Sequence, residues 1–211
     1  YTYVLNNALT AVQQLGVGAQ LKEIITYTVS DGHGGTATNT LTITIRGTND
    51  APQVSAAAAS INEDQASVSG TLPVPTDIDI GDAPAYLPQN STPGLYGTFT
   101  LLANGSYTYV LNNALTAVQQ LGVGAQLTET LTYTVSDGHG GTATNTLTVT
   151  IHGTNDAPQV TSAIASINED QVSVSGTLPV PTDTDIGDAP AYLPQSSTPG
   201  LYGSFTLLPN G

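Results

Sequence analysis

The sequence contains no cysteine and only two basic side chains, Lys22 and Arg46, in 211 residues. Without cysteine there are neither disulfides nor thiolate metal sites, so any added stabilisation of a small domain has to come from another source. Without a basic patch, nothing neutralises the phosphates of a nucleic acid or holds an anionic membrane surface. No apolar run is long enough to span a bilayer, and no signal peptide is visible. There is no initiator Met; the chain opens with YTYVLNN and closes with LLPNG, which reads as an excerpt from something longer. Catalytic signatures are missing as well: no GxSxG, no HExxH and no phosphate loop. His33 and His139 sit in a Gly-rich turn, and His152 has Arg46 as its counterpart, so no shared chemistry depends on it. The expectation is a protein that is not an enzyme.

What the chain does contain is acid. Sixteen Asp and Glu give a net charge of −14, although only 9% of the residues are charged. The remainder is Thr, Ser, Ala, Val, Leu, Gly and Pro, which suits strands and turns. The acids are clustered because the chain repeats itself. YTYVLNNALTAVQQLGVGAQL at 1–21 recurs unchanged at 107–127, SDGHGGTATNTLT at 30–42 recurs at 136–148, and GTNDAPQV at 47–54 recurs at 153–160. The offset is 106 residues each time, and residues 1–105 differ from 107–211 at thirteen positions. All eight acids of the first period return in the second, whereas Lys22 and Arg46 become Thr128 and His152.

A period of 106 residues exceeds a solenoid unit and matches one β-sandwich of ~100 residues. The natural boundary is TNDAP at 48–52 and 154–158, where proline ends a strand. This phasing makes residues 1–49 the C-terminal half of one repeat, 50–155 a complete repeat and 156–211 the N-terminal half of the next. Half a sandwich exposes core and sheet edges. The halves are therefore completed by further chain or by one another between neighbouring molecules. Within a repeat, TATNTLTITIR at 36–46 alternates without a break, Thr on one face and Ala37, Asn39, Leu41, Ile43 and Ile45 on the other, a half-buried strand. EIITYTVS at 23–30 is its hairpin partner across DGHGG. YGTFTLL and SYTYVL flank ANG in a second hairpin. Strands on either side of INED and one or two helical turns in NNALTAVQQLG complete an all-β pattern.

The acids fall at turns and boundaries: Asp31 in SDG, Asp50 in TND, Glu63 and Asp64 in NED, then Asp77, Asp79 and Asp82 in TDIDIGD. Only Glu23 stands apart, and it reads as a surface residue. In an extended segment Asp77 and Asp79 project to one side, and Gly81 lets the chain bring Asp82 back. Carboxylates so close raise one another's pKa unless a cation sits among them. Two basic residues cannot serve fourteen clustered acids. With oxygen ligands and no Cys, a metal at this site is a hard cation, and Ca2+, which takes ~6–8 oxygens, fits best. Asp31 is open between ligand and solvated turn residue.

The run YTVSDGHGGTATNTLTITIRGTNDAP at 27–52, with SINEDQ at 60–65 and TDIDIGD at 76–82, closely resembles the VCBS repeats of giant bacterial surface proteins. These are cadherin-like tandem domains found in RTX-type adhesins and biofilm proteins. The resemblance covers the whole chain. It implies tandem Ig-like β-sandwich domains, secreted to the bacterial cell surface, that bind Ca2+ near domain junctions. The implied ligands at the first junction are Asn49 and Asp50 of the linker, followed by Asp77 and Asp79. At the next junction they are Glu63 and Asp64 from the preceding domain, Asn155 and Asp156 of the linker, and Asp183 and Asp185 after it. Asp82 and Asp188 join them or complete an intradomain site, and Glu169 and Asp170 repeat the NED position in the last half-repeat. The linker is shorter than the DxNDN of cadherins, and no DRE motif is present. The expected role is a calcium-stiffened stalk whose partners are the neighbouring repeats. The alternative is a filament or matrix unit that self-associates end to end. Sugar stacking on Tyr1, Tyr3, Tyr27, Tyr86 and Tyr96, and ice binding by the Thr face, are lesser readings, because alternating tyrosines more often pack in a core.

Overall fold

A computed structural model describes residues 1–211 and is almost entirely β. The chain divides into two compact units, one of residues 1–59, 68–110 and 130–149, the other of residues 60–67, 111–129 and 150–211. The central copy supplies two four-stranded sheets. One orders the strands β3 (Ala57–Asn62), β10 (Thr142–His152), β9 (Gln126–Ser136) and β5 (Ala85–Tyr86); the other orders β4 (Ser67–Thr71), β8 (Ser106–Leu111), β7 (Gly97–Leu101) and β6 (Gln89–Pro93). The two strands flanking INED, β3 and β4, thus go to different sheets, as a sandwich requires.

Alternation in the sequence becomes alternation in burial. In β10, Leu147, Val149 and Ile151 are buried between half-exposed threonines, because successive side chains point to opposite faces. In the first unit the core is built on Tyr86, Phe99, Leu101, Tyr107, Tyr109, Leu131, Tyr133 and Val135. Tyr86 meets Tyr133 edge-on at 5.6 Å, and each hydroxyl donates to a backbone carbonyl, Pro73 and Ser55 respectively. Of the tyrosines considered for sugar stacking, Tyr86 is itself in the core, Tyr107, Tyr109 and Tyr133, the copies of Tyr1, Tyr3 and Tyr27, are buried, and Tyr96 is half-exposed. In the second unit, Ile61, Leu111, Val118, Leu121 and Ile151 are buried, Val118 from the one-turn helix α2 (Thr116–Gln119).

Glu23 is a surface residue, as its sequence setting suggests, but its copy in the second unit is not. Glu129, the counterpart of Glu23, is 2% exposed and belongs to the interior. Glu23 lies on a strand with no covering layer and is exposed, as is the Tyr3 hydroxyl that donates to it at 2.6 Å.

In the flanking segments the paired strands are those of local hairpins. In residues 1–49, β1 (Gln20–Ser30) pairs antiparallel with β2 (Thr36–Arg46) in full register, Gln20 opposite Arg46 and Ser30 opposite Thr36, after the short helix α1 (Thr10–Gln13). In residues 156–211, β11 (Gln195–Pro199) pairs with β12 (Ser204–Leu207).

Candidate metal centres at the repeat junctions

In the first unit the linker and the TDIDIGD loop are tied by backbone donors. The N–H of Asp50 donates to Asp79 Oδ2 at 2.8 Å, and the N–H of Asp79 donates to Asp77 Oδ1 at 3.0 Å. Ile80 N–H reaches back to the Gln14 carbonyl at 3.1 Å, so the loop after α1 is joined to the segment beyond the linker. Gly16 leaves room for this; a Cβ there would lie 3.2 Å from Asp79 Cβ. Gly81, at φ 98°, makes the turn that returns Asp82, whose N–H donates to the Asp79 carbonyl.

The turn has a consequence the extended reading did not foresee. Asp79 goes under the linker and is 3% exposed, while Asp77 and Asp82 come together with Asp137, each offering a carboxylate oxygen within 4.8 Å of the others. Asp137 is the SDG aspartate at the end of β9, a position left open between ligand and turn residue. Its Oδ1 organises its own loop by accepting from His139 N–H at 2.7 Å and Gly141 N–H at 3.0 Å. Its Oδ2 accepts from Asn49 Nδ2 at 2.8 Å. The Asn49 amide beside it holds the Asp137 carboxyl below the ordinary carboxylate range; partial burial opposes this, and the two backbone donors and His139 support it. Asp82 Oδ2 lies 3.1 Å from His139 Nδ1. The recurrence of SDG at the same strand end was the signal for Asp137.

The second unit repeats the skeleton at the same offset. Asp156 N–H donates to Asp185 Oδ2 at 3.0 Å, Asp185 N–H to Asp183 Oδ1 at 3.0 Å, and Ile186 N–H to the Gln120 carbonyl at 3.1 Å. Asp183, Asp185 and Asp188 offer oxygens within 4.8 Å of one another. Here the NED acids of the preceding copy join the linker. Glu63 is 2% exposed, and its Oε1 accepts from Thr154 N–H at 2.6 Å. Asp64, at φ 65°, accepts from Gln119 Nε2 at 3.3 Å. Burial pushes the Glu63 carboxyl above its ordinary value; the Thr154 N–H draws it back, and Asp64, Asp156 and Asp185 push it further up. Asp156 is raised by burial first, then by Asp64, Asp185 and Asp183. Asn155 turns its amide to the Asp156 carbonyl at 2.6 Å. Glu169 and Asp170 sit in an exposed turn and join neither cluster.

No Lys or Arg is paired with any of these carboxylates. Five buried oxygens of the two sites have no hydrogen-bond partner: Asn49 Oδ1, Asp77 Oδ2 and Asp79 Oδ1 in one, Glu63 Oε2 and Asp185 Oδ1 in the other. Leaving such an oxygen unsatisfied costs about 1–3 kcal/mol, and more when it is charged. A donor set of carboxylate and amide oxygens, partly desolvated and unpaired, fits a hard divalent cation.

Residues 49–153 match the family of bacterial cadherin-like domains. The chain is also 32% identical, over 172 residues, to the calcium-binding lectin RapA2 of Rhizobium johnstonii, an alignment covering 74% of this chain and 69% of that protein. The chain belongs to the bacterial cadherin-like family. Among solved structures, cadherin domains 1–4 of protocadherin gamma B7 align with 90% of the chain at 18% identity and a TM-score of 0.49, and mouse cadherin-23 EC22–24 with 63% at 19% identity and 0.37. The chain spans 49% and 42% of those two structures. No helix of this cadherin-like chain is long and apolar enough to cross a membrane.

Proposed function

We propose that this cadherin-like chain is a calcium-binding, non-catalytic structural module of a large secreted bacterial surface adhesin, a stalk segment in which Ca2+ stiffens the junction between successive repeats. In this reading residues 50–155 are one whole repeat between two partial ones. The observation that carries it is the recurrence, 106 residues apart, of one junction skeleton in which buried carboxylate oxygens stand unpartnered. The second junction draws these groups from both sides of its linker, Glu63 before it and Asp185 after it, whereas the first has Asn49 of the linker with Asp77 and Asp79 after it. The calcium-binding relative supports the choice of cation, and the family supports an adhesive, extracellular setting.

Asn49, Asp50, Asp77, Asp79, Asp82 and Asp137 would hold the ion at the first junction. Glu63, Asp64, Asn155, Asp156, Asp183, Asp185 and Asp188 would hold it at the second. When bound, Ca2+ supplies the positive charge that these clusters lack. The chain's own groups do the rest. Asn49 fixes Asp137, and the linker N–H groups of Asp50 and Asp156 fix Asp79 and Asp185. The bonds from Ile80 to Gln14 and from Ile186 to Gln120 tie each loop to the copy before it. Without the cation, like charges repel across the linker. Glu169 and Asp170 would serve a following junction in the same way.

The relative's lectin activity raises carbohydrate binding as a second reading. Against it, Tyr86, Tyr107, Tyr109 and Tyr133 are buried in the central copy. The deciding experiment is thermal unfolding with small-angle scattering of the 211-residue chain in calcium, in magnesium and in chelator. A ligand at a hundred times its Kd stabilises by about 2.7 kcal/mol. Calcium is expected to raise the melting temperature and lengthen the maximum dimension, and magnesium to do neither. If calcium changes neither quantity, the stalk reading fails.

A further inference from the structure

The loop DGHGG at 137–141 carries one functional side chain besides its aspartate, and the calcium reading leaves it unused. Gly138 at φ 82° and Gly140 at φ 108° take a conformation that other residues rarely adopt, so His139 is set between two left-handed glycines. Its backbone N–H is bound to Asp137 Oδ1, which fixes where its side chain starts. From there the imidazole meets an acid 57 residues earlier in the chain, with Nδ1 3.1 Å from Asp82 Oδ2. A histidine in a Gly-rich turn gave no reason to join it to the acids. The fold puts it against two of the three members of the Asp77, Asp82 and Asp137 cluster.

The loop itself does not dictate where the ring goes. DGHGG at 31–35 has the same internal bonds, with His33 N–H donating to Asp31 Oδ1 at 2.7 Å and Gly35 N–H to the same oxygen at 3.0 Å. There the ring folds back, and Nδ1 lies 2.9 Å from the Asp31 carbonyl oxygen. The backbone bonds are alike in both copies; the ring turns outward where TDIDIGD lies beside it. The Asp82 side chain is 9% exposed and that of His139 is 52% exposed, so the imidazole stands at the rim of the cluster. Deeper in, Asp77 Oδ2 and Asp79 Oδ1 are buried without a partner, and Asp79 is 3% exposed. The imidazole contact serves one oxygen of Asp82 and leaves those two as they are.

We infer that His139 is a nitrogen ligand, and that Asp77, Asp82, Asp137 and His139 together take a first-row transition ion, Zn2+, in competition with calcium. Oxygen-only sets suit Ca2+, whereas an imidazole shifts preference toward the borderline-soft divalent ions. Three carboxylates and one ring make a complete four-coordinate Zn2+ set without cysteine. Ligands at the usual Zn2+ distances of ~2.0–2.1 Å lie about 3.3 Å apart around a tetrahedron, close to the spacing between Asp82 and His139. The imidazole adds a donor without adding to the negative charge of the three acids. The inference rests on reading these acids as cation ligands, but not on the ion being calcium. Asp183, Asp185 and Asp188 have no histidine in contact with them in this chain, so they serve as an oxygen-only control within the same molecule.

The test is calorimetric titration of the untagged 211-residue chain with zinc chloride, with and without saturating calcium, alongside His139→Gln, His33→Gln and Asp77→Asn. The wild type is expected to bind Zn2+ at this cluster, and calcium to weaken the apparent affinity. His139→Gln is expected to weaken Zn2+ by more than the ~10–100-fold that loss of an outer-shell partner costs, while calcium binding is kept. His33→Gln should match the wild type, and Asp77→Asn should lose both ions at the first junction. In long-range proton–nitrogen spectra of the wild type, Zn2+ should move the ring nitrogens of His139 and leave those of His33 and His152 in place. Co2+ should give the intense visible bands of a four-coordinate site. Equal Zn2+ affinity in the wild type and His139→Gln would overturn the inference, as would His139 resonances that do not move at saturation; the ring would then be only a hydrogen-bond partner of Asp82. Zn2+ bound through His139 in a chain that ignores calcium would uphold the inference and end the calcium reading, and calcium binding without Zn2+ would do the reverse. Unfolding in chelator checks that His139→Gln is folded, and the wild-type spectra decide the matter without it.

Discussion

Replacing Glu63 by Gln should change the sign of its effect with calcium. Glu63 is 2% exposed, with Oε1 held by Thr154 N–H and Oε2 buried without a partner. Its carboxyl is raised by burial and by three neighbouring acids, so the metal-free protein bears the cost of that charge. In chelator, Glu63→Gln keeps the acceptor for Thr154 and puts an N–H2 donor where the unpartnered oxygen stood. Relief of one unsatisfied buried group contributes about 1 kcal/mol at the low end of its range. A domain of this size gains about 4–8 °C in melting temperature per kcal/mol. In saturating calcium the same exchange removes a charge from the seat. A Kd weakened on the order of a hundredfold costs about 2.8 kcal/mol. The net is a loss of about 2 kcal/mol, or roughly 8–16 °C. Differential scanning calorimetry in the two conditions, with calorimetric titration for Kd, reads both arms. A variant destabilised equally in calcium and in chelator would refute the reasoning, and would make Glu63 only a structural acceptor for Thr154.

Gly141→Ala should disable the first junction alone. A Cβ there would collide with Asp137 Oδ2 and lie 2.9 Å from Asn49 Nδ2, so titration should lose the first site and keep the second. Phe99→Ala should cost about 3–5 kcal/mol, as large aromatic truncations in a core do, while Phe205→Ala in monomeric chain should cost less than about 0.5 kcal/mol. Chemical denaturation compares the two, and equal losses would contradict the difference in burial. Alkaline unfolding should begin above pH 10. Burial, with a smaller contribution from Tyr133, pushes the Tyr86 hydroxyl up to about 12, so its stabilising contribution is complete below its unfolded value near 10 and disappears between about 10 and 12. Tyr86→Phe should flatten the pH profile of stability across that window.

Much of this was legible from residue types and spacing. The unbroken Thr alternation at 36–46 marked a strand with the bounds the fold gives it, and DGHGG marked its hairpin. The 106-residue offset made the acids recur, and the scarcity of Lys and Arg left those acids without cationic partners. Less legible was which aspartates meet. Asp77 and Asp79 are two residues apart and were expected on one side, but the turn at Gly81 sends Asp79 under the linker and brings Asp82 to Asp77. Asp137 reaches them from 55 residues beyond Asp82 because the β9 strand end is carried to the same place. Glu129 lay in a strand whose face cannot be assigned without knowing what covers it.

The near-identical copies separate what a sequence determines from what its surroundings decide. The hairpins β1–β2 and β11–β12 form in every copy, since a short turn holds their strands together at little loop-closure cost. The DGHGG loop is also local: Asp31 and Asp137 each accept from the N–H groups two and four residues on. YTYVL, SVSGT and A(A/I)ASIN become strands only where the complementary half of a repeat lies against them. Their backbone donors and acceptors have no partners nearby in sequence, and their apolar side chains have nothing to be buried against. For these segments the sequence determined which face would be apolar, and the tertiary structure alone decided that there would be a strand.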